Sequence, residues 1–304
     1  MPQAIIFIVG PTAIGKTALA VKLAKRIGGE IISSDSMQIY KGMAVLSQAP
    51  DSAEKRSVKH YLTGSLDPKK EYSAADFRIK ASEIIEEVIR RKKIPIVAGG
   101  SGLYVKGLID GLFPSPKADM KFRKSMEEFA IKHGSGKLHE KLYKIDPGSA
   151  RLIHPNDRRR IIRALEIYNA TAKTMTELKS RTRGLSDRYD VKIYGFIKPR
   201  EEIYASINSR VEKMFSSGLV REVKRLKGKR LSRTAKGILG YKEIAGYLDG
   251  DYGLETAKEL LKRNTRRFAK RQLSWFRGDR RIEWIDLGKT SAAQAVRKIA
   301  KEAG

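Results

Sequence analysis

The chain has 304 residues, with 63 Lys and Arg against 34 Asp and Glu, a formal charge of +29, 41% hydrophobic residues and no cysteine. That length buries one large core or two modest ones without staples. The lack of cysteine excludes disulfides, thiol catalysis and cysteine-bound zinc, and His60, His133, His139 and His154 are too scattered for a histidine metal site. So large a charge excess points to a polyanionic partner, nucleic acid before membrane, with a general basic drift of composition as the competing account. No apolar run approaches a membrane span and the amino terminus shows no cleavable signal pattern, so a cytoplasmic protein is expected, with monomer the default.

In chain order, the apolar run Ala4 to Val9 reads as a buried strand, and Ala18 to Arg26 reads as a helix. Between them Gly10, Pro11, Thr12, Ala13, Ile14, Gly15, Lys16 and Thr17 spell a full G-x-x-x-x-G-K-T phosphate loop. Its glycines let successive amides turn inward and the helix start adds partial positive charge, so a diphosphate or a triphosphate such as ATP fits there. Lys16 supplies a point charge, and the Thr17 hydroxyl is the usual protein ligand to a hydrated Mg2+.

A second strand, Glu30 to Ser33, ends at Ser34-Asp35-Ser36, and a third, Ile94 to Ala98, ends at Gly99-Gly100-Ser101-Gly102. Ser73 to Arg91 reads as a helix whose Ser73 and Asp76 stand in capping-box spacing. From about Pro114 to Tyr189 the texture changes to charged helical segments broken at Gly134-Ser135-Gly136, Asp146-Pro147 and His154-Pro155-Asn156. Strand character returns at Val191 to Ile197, followed by helices from Arg200 to Ser217 and Leu254 to Arg277, a strand at Ile282 to Ile285, and a last helix opened by a Ser291 and Gln294 capping box. The pattern predicts an α/β fold: a P-loop-type parallel sheet flanked by helices, with an inserted all-helical domain. The expected division is 1–114 with 196–304 for the core and 115–195 for the insertion. Ligands of such sheets bind beyond the carboxyl ends of the strands, where the loops 10–17, 34–38 and 99–104 converge.

Asp35, at the mouth of the second strand, is placed to accept a proton or orient an amine; a helix N-cap or an outer magnesium contact is the alternative. The strand Ile94 to Ala98 ends in Gly99-Gly100 where a nucleotide-hydrolysing machine carries an Asp, so the loop reads as the holder of a diphosphate leaving group. Ser101 offers a hydroxyl to the crevice, although a plain turn also accounts for this motif. Two basic segments stand out. In the first, Asn156 is placed to cap a helix from which Arg159, Arg160 and Arg163 project; in the second, Lys262 to Arg277, Phe268, Trp275 and Phe276 face a core behind the cations. A solvated face is the alternative for each. Arg210, inside the helical pattern Ile203 to Phe215, reads on the residues alone as a surface arginine.

Taken in order, these blocks resemble the tRNA dimethylallyltransferases, also called tRNA isopentenyltransferases, over nearly the whole chain. The likeness rests on the phosphate loop, Asp35-Ser36-Met37-Gln38-Ile39-Tyr40, Gly99 to Tyr104, Pro155-Asn156-Asp157 through Glu166, Gly240-Tyr241-Lys242-Glu243, and Thr265-Arg266 through Arg277. It implies transfer of a dimethylallyl group from dimethylallyl diphosphate to N6 of the adenosine immediately 3′ of the anticodon in tRNA, with Mg2+. It further implies that Lys16, Thr17 and the loop backbone hold the diphosphate, that Asp35 engages the adenine amine, and that Arg210, with Met214 and Gly218-Leu219 in the family's pattern, reaches the diphosphate. For tRNA it points to Asp35, Ser36, Met37, Gln38, Ser101, Arg123, Arg159, Arg160, Ile161, Ile162 and Arg163, with the inserted domain gripping the anticodon stem. This chain departs from the family at Ser101 (commonly Thr), at Arg159 (commonly Gln) and across Met43 to Pro50, which lacks the usual Gly-Thr-Ala-Lys-Pro wording. A P-loop nucleotide kinase, or prenylation of free adenine nucleotides, is the rival function; neither calls for +29 or for the long insertion.

Overall fold

The computed structural model describes residues 3–303. Six strands form one sheet: β1 (Ala4–Val9), β2 (Glu30–Ser33), β3 (His60–Tyr61), β4 (Pro95–Gly99), β5 (Asp190–Ile197) and β6 (Ile282–Asp286). Their order is β3-β2-β4-β1-β5-β6, and every pairing is parallel. The central strand follows from its composition: Ile5 to Val9 are all 0% exposed, as a strand covered on both faces requires.

The helices that frame the crevice and build the second unit include α1 (Lys16–Ile27), α2 (Ala74–Arg90), α3 (Gly102–Ile109), α4 (Met120–Ile145), α5 (Arg158–Thr171), α6 (Arg200–Ser216), α7 (Leu254–Arg277) and α8 (Ala292–Ala303). The capping box expected at Ser73 and Asp76 is formed at the start of α2, and Ser291 and Gln294 exchange the same pair of bonds before α8. At α5 the cap is Asp157, whose carboxylate accepts from Arg160 N, and not Asn156.

The chain divides into two compact units, one of residues 3–109 with 185–303, built around the sheet, and one of residues 110–184. The expected boundary at 195 therefore moves: residues 185–195 include most of β5 and belong with the sheet. The second unit is wholly helical. Its core joins Ala130, Leu138 and Leu142 of α4 to Ile161, Ile162 and Leu165 of α5. α4 bends at Gly134, where φ is 84° and ψ 158°, at the first break read from the sequence. Among the described residues no helix is long and apolar enough to cross a membrane.

Candidate active site

The parallel register brings β1 and β4 to a common end, with Val9 opposite Gly99, so the loops that follow them start side by side. In the phosphate loop Gly10 (φ 142°) turns where a Cβ would stand 2.8 Å from the Phe196 carbonyl oxygen, and Gly15 (φ 91°) takes the left-handed conformation that opens α1. Ala13 is also left-handed, at φ 64°, a strain of about 1–2 kcal/mol that the loop's shape imposes. Lys16 folds back along the loop, donating from Nζ to the carbonyl oxygens of Gly10 at 2.9 Å and Pro11 at 2.7 Å. Burial pushes the Lys16 ammonium down to about 7; the nearby Asp35 carboxylate opposes the shift and Arg210 adds to it. The Thr17 hydroxyl makes no hydrogen bond among the described residues.

Arg210 is not a surface residue. From α6 its Nη1 donates to Thr12 Oγ1 at 3.1 Å, and burial lowers its guanidinium while Asp35 counteracts that. A shallow depression open to solvent runs along α6 past Ala205, Ser206, Ser209, Arg210 and Lys213. Asp35 closes an Asx turn, its Oδ1 accepting from Met37 N at 2.9 Å, so its position is set by its own loop. Ser36 N donates to Ser101 Oγ at 3.1 Å, and the Ser101 hydroxyl donates to Ser36 Oγ at 3.3 Å. Gln38 is held from both ends, accepting from Ser33 Oγ at 2.8 Å and donating to the Gln48 carbonyl at 3.1 Å. Met37 packs half-buried against the core. The sheet unit thus brings Lys16, Thr17, Asp35, Ser36, Ser101 and Arg210 to one crevice.

One residue of this crevice lies inside the Thr265 to Arg277 block of the family likeness, where the sequence attached no role to it. Gln272 of α7 is 6% exposed, accepts from Thr12 N at 2.8 Å and donates to the Gly100 carbonyl at 2.9 Å. The available sign was an amide on an otherwise compact helical stripe, Ala257, Leu261, Thr265, Ala269, Gln272 and Phe276. Phe276 faces the core as expected, whereas Trp275 is 47% exposed.

In the helical unit the residues expected at RNA take different places. Ile161 and Ile162 are core residues, 0% and 3% exposed, so their side chains do not present to a ligand. Arg123 makes a bidentate pair with Glu166 through Nε and Nη2, both at 2.8 Å, and Arg163 bonds the same carboxylate as well as Ser115 and the Pro116 carbonyl. Burial would raise Glu166, yet the hydrogen bonds from Arg123 and Arg163 hold it down to about 2. Arg159 and Arg160 are exposed; Arg160 pairs with Asp157 at 2.6 Å, and Arg159 has no carboxylate partner among the described residues.

Fold and loop together define a phosphate-loop α/β protein whose crevice gathers two cations and one carboxylate. Residues 38–279 match the family model described as IPP transferase. The chain is 47% identical to a tRNA dimethylallyltransferase of Carboxydothermus hydrogenoformans, over 100% of this chain and 98% of that one. It is also similar to the solved full-length tRNA isopentenylpyrophosphate transferase of Bacillus halodurans, with a TM-score of 0.73, 39% identity, and 99% of this chain and 95% of that one covered. A eukaryotic dimethylallyltransferase acting on tRNA superposes with a TM-score of 0.80 at 27% identity, covering 99% of this chain and 80% of that one. The chain belongs to the tRNA dimethylallyltransferase (IPP transferase) family.

Proposed function

We propose that this enzyme transfers the dimethylallyl group of dimethylallyl diphosphate to N6 of the adenosine 3′-adjacent to the anticodon in tRNA. The observation that carries the reading is that Lys16, Arg210 and Asp35 lie within one another's electrostatic reach at the phosphate loop, two cations for a diphosphate and one carboxylate for an amine. An exocyclic adenine amine is too weak an acid to lose its proton beforehand, so bond making and proton loss are concerted. N6 bonds to the allylic carbon as that carbon's bond to the diphosphate oxygen breaks, and the N6 proton passes to the Asp35 carboxylate. The departing diphosphate is held by Lys16, Arg210 and the amides of residues 10–17.

Magnesium suits the same place. No cluster of three acidic or histidine ligands exists among the described residues, but a hydrated Mg2+ shared with phosphates needs only one protein oxygen, and the Thr17 hydroxyl is uncommitted. Bound there, it would neutralise charge on the diphosphate. On the RNA side, Ser36, Met37, Gln38 and Ser101 would receive the extruded adenosine, and the helical unit would take the anticodon stem through Arg159 and Arg160. A monomer working in the cytoplasm is consistent with this substrate.

The test is transfer of label. Incubated with Mg2+, labelled dimethylallyl diphosphate and an anticodon stem-loop, the enzyme should place the label on the adenosine 3′ of the anticodon. Asp35→Asn should slow single-turnover transfer about 10²-fold or more with stem-loop affinity little changed. Label that stays on the donor, together with tight binding of ATP alone, would overturn the reading.

A further inference from the structure

Gln272 stands apart from the residues that the reaction employs. A buried primary amide costs free energy unless both its ends are paired, and here both are, on main-chain groups of two different loops. Thr12 N belongs to the phosphate loop after β1, and the Gly100 carbonyl belongs to the loop after the adjacent strand β4. Gly100 makes the seat possible, since a Cβ there would lie 2.1 Å from Gln272 Nε2.

From each end of Gln272 the connection continues. Beyond Gly100 the Ser101 hydroxyl bonds both the amide and the hydroxyl of Ser36, next to the Asp35 turn. Beyond Thr12 lies Arg210. A single side chain of α7 therefore joins the loop that would hold the donor's diphosphate to the loops that would hold the acceptor base. A ligand that orders one loop orders the other through this amide, and the second ligand then meets a site already arranged.

We infer that Gln272 is a positioning residue that couples the two substrate sites, so that occupation of the diphosphate site tightens RNA binding and the reverse. The inference rests on the donor and acceptor reading above. Pyrophosphate with Mg2+ serves as the donor-side probe and a fluorescent anticodon stem-loop as the acceptor. Stem-loop Kd is measured by anisotropy without and with saturating pyrophosphate, and pyrophosphate Kd by calorimetry.

In the wild type, pyrophosphate should tighten the stem-loop by about fivefold or more, and the stem-loop should tighten pyrophosphate by the same factor. Two variants break the bridge from opposite sides. Gln272→Glu keeps an acceptor for Thr12 N and loses the donor to Gly100, while Gly100→Ala crowds an unaltered Gln272 off its seat. Each should reduce the coupling to below about twofold. A merely structural amide would lower the melting temperature and weaken both ligands while leaving the ratio intact. Pyrophosphate that binds without moving stem-loop affinity, or variants that keep the wild-type ratio, overturn the inference alone. Pyrophosphate that fails to bind overturns the donor reading and takes the inference with it.

Discussion

Lys16 is caught between two demands: the loop removes its ammonium from water, and the function requires that ammonium to be charged. Burial brings it to about 7 from 10.5. The unfolded chain keeps the proton up to its ordinary range while the folded, unliganded loop releases it near 7, so the native state binds fewer protons between those values. Stability of the free enzyme should therefore rise with pH from about 7 upward. A diphosphate reverses the balance, because its charge favours the ammonium. Donor binding near pH 8 should take up about one proton, and donor affinity should fall as pH rises above 7. Calorimetry in two buffers of different ionisation enthalpy reads the uptake directly; a heat independent of buffer would mean that Lys16 is charged before the donor arrives.

Among elements, α5 shows most clearly how a basic segment divides its labour. Its buried stripe includes Ile161, Ile162, Leu165 and Glu166, and Glu166 is 1% exposed because Arg123 and Arg163 neutralise it. Glu166→Gln should destabilise the helical unit by about 2–4 kcal/mol, the partial exposure of both guanidinium groups keeping it below the figure for a fully enclosed pair. Since Glu166 lies at about 2 against 4.5 unfolded, its contribution is complete above pH 4.5 and is lost as pH falls toward 2. Hydrogen exchange of the α5 amides should report both effects while β1 stays protected.

The same helix marks what the sequence could and could not disclose. Its start was legible to within one residue from the cap expected at Asn156, as β1 followed from an unbroken apolar run and α2 and α8 from their capping boxes. Which of its arginines serve the protein's own core did not follow, because the carboxylate that claims Arg123 lies 43 residues away. β3 left no mark, since two residues carry no period. Arg210 read as a surface residue because its partner Thr12 is 198 positions distant, and only the family pattern placed it at the loop. Gln272 stood inside the Thr265 to Arg277 block, but its role did not follow for a related reason: its bonds go to main-chain groups, which no residue type announces.

At the scale of the whole molecule the question is whether +29 acts as a diffuse field or through particular contacts. A diffuse field is screened within about 10 Å at 0.1 M salt, whereas each cation that displaces a counterion from RNA adds about 0.7–0.9 to the slope of log affinity against log salt. Arg159 and Arg160 are exposed on α5, and Arg163 is committed to Glu166. Arg159→Ala with Arg160→Ala should flatten the slope for tRNA by about 1.4–1.8. Arg163→Ala should instead lower stability, for the reason that governs Glu166. Lys92 and Lys93 are exposed just before β4, at the end of the strand opposite the crevice, and replacing both by Ala removes as much charge from the molecule as the first pair. If position decides, that control leaves the slope unchanged. Equal flattening by the two pairs would show that the charge works as a field and would move the stem's footprint away from α5.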